Sequence, residues 1–197
     1  MIFTRSIPKR RYRNYSLYRS LLRTDFQHRC AYCLVHEYHN GSDANFSIDH
    51  HRPRNGMYAR RDLENEYANL YWCCNECNQN KGDQWTSPQE ETLGFGWLDP
   101  CESWGDHDLH WQINSDGEIA WLTSVGEYTV KKLMLHEREW LKDYWREIAK
   151  RQNLREMLMA SLETREIPSM ERTLIEQRLQ ELNRYLEPPV FHRPYRK

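Results

Sequence analysis

The chain has 197 residues, enough for one domain with an appendage or for two small ones. It is poor in aliphatic residues and rich in charge, with eight Trp and twelve Tyr to supply core area. A net charge of −1 sets it apart from free-standing nucleic-acid binders, which draw affinity from a basic excess, and no segment is long and apolar enough to span a bilayer.

The charge is uneven along the chain. Arg5, Lys9, Arg10, Arg11, Arg13, Arg19 and Arg23 make the N-terminal stretch basic, and Arg193, Arg196 and Lys197 do the same at the other end. Either stretch reads as a solvated tail or as a strip that follows a phosphate backbone. No apolar run follows the first basic cluster, so no export signal is expected and a cytosolic location is. There, Cys-x-x-Cys pairs read as metal ligands rather than disulfides.

Residues 15–27 carry Leu17, Leu21, Leu22 and Phe26 at helical spacing. Cys30-Ala-Tyr-Cys33 follows as a knuckle. After a turn signal at Asn40-Gly41, residues 45–48 read as a short strand that delivers Asp49 and His50. Residues 53–68 are polar and read as a loop with a turn at Asn55-Gly56. Residues 69–72 are extended, and a short helix runs from about Cys74 past Asn78 to Lys81, with Gly82 as its stop. Residues 87–110 read as irregular. An Asp116-Gly117 turn predicts a β-hairpin over 111–122. From Thr129 the pattern is helical: Trp140, Leu141, Tyr144, Trp145, Ile148, Leu154, Leu158 and Leu162 form one stripe. Ile167-Pro168 breaks it. Ile175, Leu179, Leu182 and Leu186 form a second stripe, stopped by Pro188-Pro189. The divisions are a basic arm and helix (1–28), a core (29–86), an irregular segment with a hairpin (87–127) and a helical region (128–197).

Two features carry chemistry. Cys30/Cys33 and Cys74/Cys77 lie about forty residues apart, and four thiolates suit a structural Zn²⁺ with no open position for catalysis. The competing readings are redox dithiols and coincidental core cysteines; Cys73 and Cys101 read as small buried hydrophobes. Beside the thiolates stand Asp49, a hard oxygen donor for Mg²⁺, His50, which exchanges a proton near neutral pH, and Asn78, a neutral amide ligand. Strand neighbours point to opposite faces, so a bend or bulge is expected if Asp49 and His50 are to share a site. Lys81, Arg52 and Arg54 are candidates to grip phosphate. Trp72 and Trp85 read as core residues or as stacking platforms for bases, and His51 as a packing residue or a further catalytic part.

Cys30-x2-Cys33, then Ile48-Asp49-His50-His51-Arg52-Pro53, then Asn69-Leu70-x3-Cys74-x2-Cys77-Asn78-x2-Lys81-Gly82 resembles the zinc-binding branch of the HNH endonuclease superfamily over 29–83. The resemblance implies an α+β fold: a ββα-metal core clipped by a four-Cys zinc, followed by the β-hairpin and a C-terminal helical hairpin. It implies a nuclease that hydrolyses phosphodiesters, of DNA first, with Mg²⁺ or Mn²⁺. Asp49 and Asn78 would hold that ion, His50 would be the general base, and Asn69 would tie loop to helix by hydrogen bonds. His51 departs from the pattern, which has an aliphatic residue there. Further on, Trp97-Leu98-Asp99-Pro100 and Thr129-Val130-Lys131-Lys132-Leu133 resemble nuclease subunits of Septu-type and retron-associated anti-phage systems, which work beside an ABC/SMC-like ATPase. His136 departs from that pattern. The alternative class is a zinc-ribbon adaptor that binds nucleic acid or protein without cutting.

Overall fold

The structure, a computed structural model, describes residues 2–164 and 167–187. Pro188-Pro189, Arg193, Arg196 and Lys197 lie outside the described residues. The fold is α+β, with two small antiparallel sheets among helices.

Helix α1 (Arg19–Asp25) follows a 3-10 turn capped by the Asn14 side chain. It buries Leu22 and hands the chain to Phe26, which is also buried. Strand β1 (Phe46–His50) pairs antiparallel with β2 (Leu70–Cys74), from Phe46 opposite Cys74 to His50 opposite Leu70. Strand β2 is buried throughout. Its far edge is taken by the knuckle, where the Ala31 amide donates to the Trp72 carbonyl at 2.9 Å. Helix α2 (Asn75–Lys81) starts directly from β2, with Cys74 as its N-cap and Gly82 at φ +49° as its stop. An L-residue rarely adopts that φ, which is why the glycine ends the helix.

Two short helices interrupt the stretch expected to be irregular. Helix α3 (Pro88–Thr92) begins with a capping box between Ser87 and Glu90, and Asp106 caps α4 (His107–His110). The hairpin is present as β3 (Trp111–Ile113) and β4 (Ile119–Trp121). The helical region starts earlier than its apolar pattern, because Thr123 caps α5 (Ser124–Lys132). Met134, at φ +54°, then breaks the chain before α6 (Glu139–Thr164). Helix α7 (Ser169–Leu186) returns along α6.

The hairpin of α6 and α7 is anchored at one end only. Leu141, Trp145, Leu182 and Leu186 are buried there, and Arg29 and His39 donate to the carbonyls of Leu186 and Tyr185 at 3.1 and 2.9 Å. Toward the other end Met157, Met170 and Leu174 are exposed. The core itself is aromatic: Phe3, Tyr18, Phe26, Tyr32, Tyr71 and Trp72 are its largest wholly buried side chains apart from Lys81. Among the described residues no helix is long and apolar enough to cross a membrane.

Candidate metal centre and adjoining cleft

The knuckle and the β2–α2 junction bring four sulfurs together. The Sγ atoms of Cys30, Cys33, Cys74 and Cys77 all lie within 4.8 Å of one another and are buried. A tetrahedral ion with bonds of about 2.3 Å needs sulfurs roughly 3.8 Å apart. Cys33 and Cys74 stand at 3.8 Å. The surroundings place donors on the sulfurs, although burial pushes the Cys33 and Cys77 thiols well up. The amides of Tyr32 and Cys77 point at the sulfurs of Cys30 and Cys74 at 3.5 and 3.4 Å, and Arg138 donates to the Cys77 sulfur at 3.3 Å. Burial opposes the charge on Arg138, but the Cys77 and Cys33 sulfurs outweigh it and hold the guanidinium protonated. Burial likewise resists ionisation of Cys30, yet its thiol is pulled well below the usual range by hydrogen bonds from Cys33, Cys74 and Cys77. All six cysteines are free thiols. Cys73, adjacent to Cys74, faces the other side of β2 and is not part of the quartet. The four residues can hold one metal ion, and four thiolates suit Zn²⁺.

Beside the quartet, β1 borders an open cleft of about 480 Å³. Tyr15, Arg19, Asp49, His50, Arg54 and Asn78 are among its lining residues. The expected bend is not there: β1 keeps its register through His50. Asp49 and His50 leave opposite faces of a regular strand and meet at its free edge, around which the cleft wraps.

The two faces have different partners. Ser47 and Asp49, two residues apart, face α2. The Asn78 amide donates to Ser47 Oγ at 2.9 Å, which leaves Asn78 Oδ1 as an acceptor. Asp49 is buried, and Tyr32 Oη donates to its Oδ2 at 2.6 Å. The Lys81 ammonium lies 3.3 Å from the Asp49 carboxylate and 2.8 Å from the His50 carbonyl. On the opposite face the His50 Nε2 meets the Glu64 carbonyl at 2.9 Å. A carbonyl only accepts, so Nε2 carries the proton and Nδ1 keeps the lone pair. Burial lowers the His50 pKa below its ordinary value, helped by Arg54 and opposed by the Glu64 bond, so the ring is neutral at pH 7. Tyr15 packs edge-on against it at 4.7 Å.

Other expectations divide. Asn69 holds the loop to itself rather than to α2: its Oδ1 accepts from the Arg52 amide at 2.8 Å, and its Nδ2 donates to the Arg52 carbonyl at 3.1 Å and the Leu63 carbonyl at 3.3 Å. Arg54 lines the cleft and is paired with Glu64 at 3.0 Å. Arg52 lies over the Trp85 ring at 4.2 Å and is not a cleft residue. Lys81 corrects its assignment outright. Its side chain is 0 % exposed and turned inward, so it cannot grip phosphate as it stands. Trp72 is core, stacked on Phe46, and Trp85 packs edge-on to His51. His51 is buried between Tyr71 and Trp85, with Nδ1 unpartnered and Nε2 3.9 Å from Asp99; burial pushes it down to about 4. In the basic arm, Arg5 donates to the Tyr67 and Leu70 carbonyls, Arg19 to the Asp43 carbonyl at 2.5 Å, and Arg23 pairs with Glu37, so these three serve the fold. Lys9, Arg10, Arg11 and Arg13 are exposed. The sequence reading missed Tyr15, Ser47 and Tyr32. Ser47 was detectable by its two-residue spacing from Asp49.

Lys81→Met should destabilise the chain by about 3–5 kcal/mol, because it leaves a buried carboxylate with only Tyr32. Replacing Asp49 by Leu in the same chain should recover part of that loss in urea denaturation. A single-variant change within about 0.5 kcal/mol would show that the pair is not coupled.

Comparison of the chain with protein-family models, with curated proteins and with solved structures found no match.

Proposed function

We propose that the chain is a metal-dependent HNH-type endonuclease of the zinc-binding branch, acting on DNA before other nucleic acids. The observation that carries this reading is the shared cleft of His50, Asp49 and Asn78, flanked by Arg19 and Arg54 and set against the four-cysteine cluster. In it, the Asp49 carboxylate, the Asn78 amide oxygen and the neutral His50 imidazole border a single open space, with Asn55 and Asp83 also on its wall.

The donor set fits a hard cation that retains several waters, as Mg²⁺ does. Asp49 and Asn78 Oδ1 would hold Mg²⁺ or Mn²⁺, even with the carboxylate bonded to Tyr32 and Lys81, since it has about four acceptor positions. The bound ion supplies Lewis-acid stabilisation of charge on phosphate and leaving oxygens. His50 Nδ1 takes the proton of a water as that water attacks phosphorus in line. The Glu64 carbonyl fixes the imidazole orientation and balances the charge it gains. Arg54, at the cleft wall, positions the phosphate. The products are a 5′-phosphate and a 3′-hydroxyl. The zinc cluster is a clip that fixes the start of α2 to the knuckle.

The placement in bacterial anti-phage defence beside an ABC/SMC-like ATPase rests on the sequence resemblance downstream of the core. The near-neutral charge and the apolar tip of the α6–α7 hairpin support a protein partner. The adaptor reading draws on one observation, the occupied Asp49 carboxylate.

Supercoiled plasmid, linear DNA and RNA, each with Mg²⁺, Mn²⁺ or EDTA, separate the two. Cleavage should require the divalent ion and fall by at least roughly tenfold in Asn78→Ala, the cost of losing even an outer partner of a metal site. Binding without cleavage under every condition, with and without an ABC/SMC-like ATPase, would leave the adaptor.

A further inference from the structure

A second cavity, of about 400 Å³, lies on the other flank of α2. Asn40, Asn45, Asn75, Glu76, Gln79 and Trp140 line it. Four of these are carboxamides, one is an indole, and none is a cation. Phosphate seeks cations, and the cleft beside His50 has them in Arg19 and Arg54. Asn45 and Asn75 donate to the Asn40 and Ala44 carbonyls at 2.9 and 3.5 Å, so the donor and acceptor side by side that match a base edge, adenine N6 and N7 best of all, are those of Gln79 and Asn40. An indole face stacks on bases of any kind.

The indole is held for such a use. Trp140 is 38 % exposed although it sits in the apolar stripe of α6. Its Nε1 donates to Glu76 Oε2 at 3.0 Å, and the other Glu76 oxygen lies 3.2 Å from Arg138 Nε, within ion-pair distance though poorly aligned as a hydrogen bond. The ring edge is therefore pinned, and the one acid in the cavity is neutralised. Gln79 is exposed at the cavity.

Residues close in sequence line the two cavities. Asn78 lines one and Gln79 the other; Ser47 lines one and Asn45 the other. Two residues of chain span at most about 7 Å. Stacked nucleotides on one strand are spaced about 3.4 Å apart. Because Asn78 and Gln79 are consecutive, a strand whose phosphate lies beside Asn78 passes Gln79, and so the second cavity, within a few nucleotides. Stacking on the indole requires a base free of its duplex neighbours.

We infer that this cavity is a nucleobase subsite, which takes an unpaired base, adenine in preference, next to the phosphate that is cut. The inference rests on the nuclease reading for its position and names the substrate as single-stranded or locally opened nucleic acid.

The test measures binding of labelled oligo-dA, oligo-dT and a closed duplex hairpin to the His50→Ala chain, alone and with Trp140→Ala, Trp140→Phe or Gln79→Ala added. Trp140→Ala should weaken single-strand binding roughly 5- to 150-fold, the range for one stacked base, and leave the hairpin unchanged. Trp140→Phe should keep most of the affinity, and Gln79→Ala should narrow the preference for dA over dT. Trp140→Ala and Gln79→Ala binding every oligonucleotide as the parent does would overturn the subsite; if the parent with His50 intact still cuts, the nuclease reading survives. The expected losses in a chain whose parent never cuts would uphold the subsite and remove the nuclease reading. A parent that binds no oligonucleotide overturns the subsite as well.

Discussion

His50→Ala should lose cleavage roughly 10²- to 10⁴-fold while the chain stays folded. The fold side follows from what the ring touches. It gives one hydrogen bond to the Glu64 carbonyl and one edge-on contact with Tyr15. The ring and Tyr15 border the open cleft, so water that fills the space left by the ring can reach the carbonyl. The loss is about 1 kcal/mol for the hydrogen bond and about 1 for the ring contact, set against a total stability of roughly 5–15. The chemical side follows from the tautomer. No other neutral nitrogen with a free lone pair lines the cleft among the described residues. The pH profile is an independent check. Burial lowers the His50 pKa from 6.5, so the ring stays neutral as pH falls and protonates only below that value. The acid limb of the rate should therefore have its midpoint below pH 6.5. An acid midpoint above 6.5, or an alanine variant that cuts like its parent, would remove His50 from this role. Partial rescue of His50→Gly by free imidazole would support it, since the cleft has room for the ring.

What the sequence makes legible here is whatever local chemistry decides. The knuckle cysteines, the turn at Asp116-Gly117, the stop at Gly82 and the break at Ile167-Pro168 lie where the pattern puts them. Helix α3 was legible too, since Ser87-Pro88-x-Glu90 is a capping box with Pro in the first turn, but no apolar period draws attention to a helix of five residues. Lys81 was not legible. Its spacing from Asn78 puts both on one face of α2, but sequence does not say that this face lies on β1. Packing decides that the ammonium points inward at Asp49. The meeting of Asp49 and His50 was misjudged for a related reason. Strand alternation separates two faces, and only the open edge of a two-stranded sheet lets both border one cleft. Trp140 belongs to the apolar stripe by period, yet the stripe is wider than what the body covers, so Leu141 is buried and Trp140 is not.

Cys77→Ser is the variant that should cost the fold itself. Cys30 and Cys33 sit on the knuckle after α1 and Cys74 and Cys77 at the β2–α2 junction, inside one buried cluster that also holds Tyr32, Val35, Leu70 and Trp72. Thiolate sites in small zinc peptides contribute roughly 10–16 kcal/mol, as much as or more than the whole stability of an ordinary domain. Losing one sulfur loses the tetrahedral site and also a counter-charge of Arg138, which is buried and 3.3 Å from that sulfur. Arg138 would keep Glu76 and the Leu133 carbonyl but lose the partner of its Nη1, which adds to the penalty. The parent should carry about one zinc per chain by atomic emission, and a strong chelator should unfold it by circular dichroism. Cys77→Ser should carry none and show no cooperative melt. Cys73→Ala is the control, because strand alternation turns Cys73 away from the quartet. It should lose some packing and keep its zinc. A soluble, zinc-free Cys77→Ser chain that melts with its parent would show that the four sulfurs are only core cysteines, and that the start of α2 holds its place beside the knuckle by packing alone.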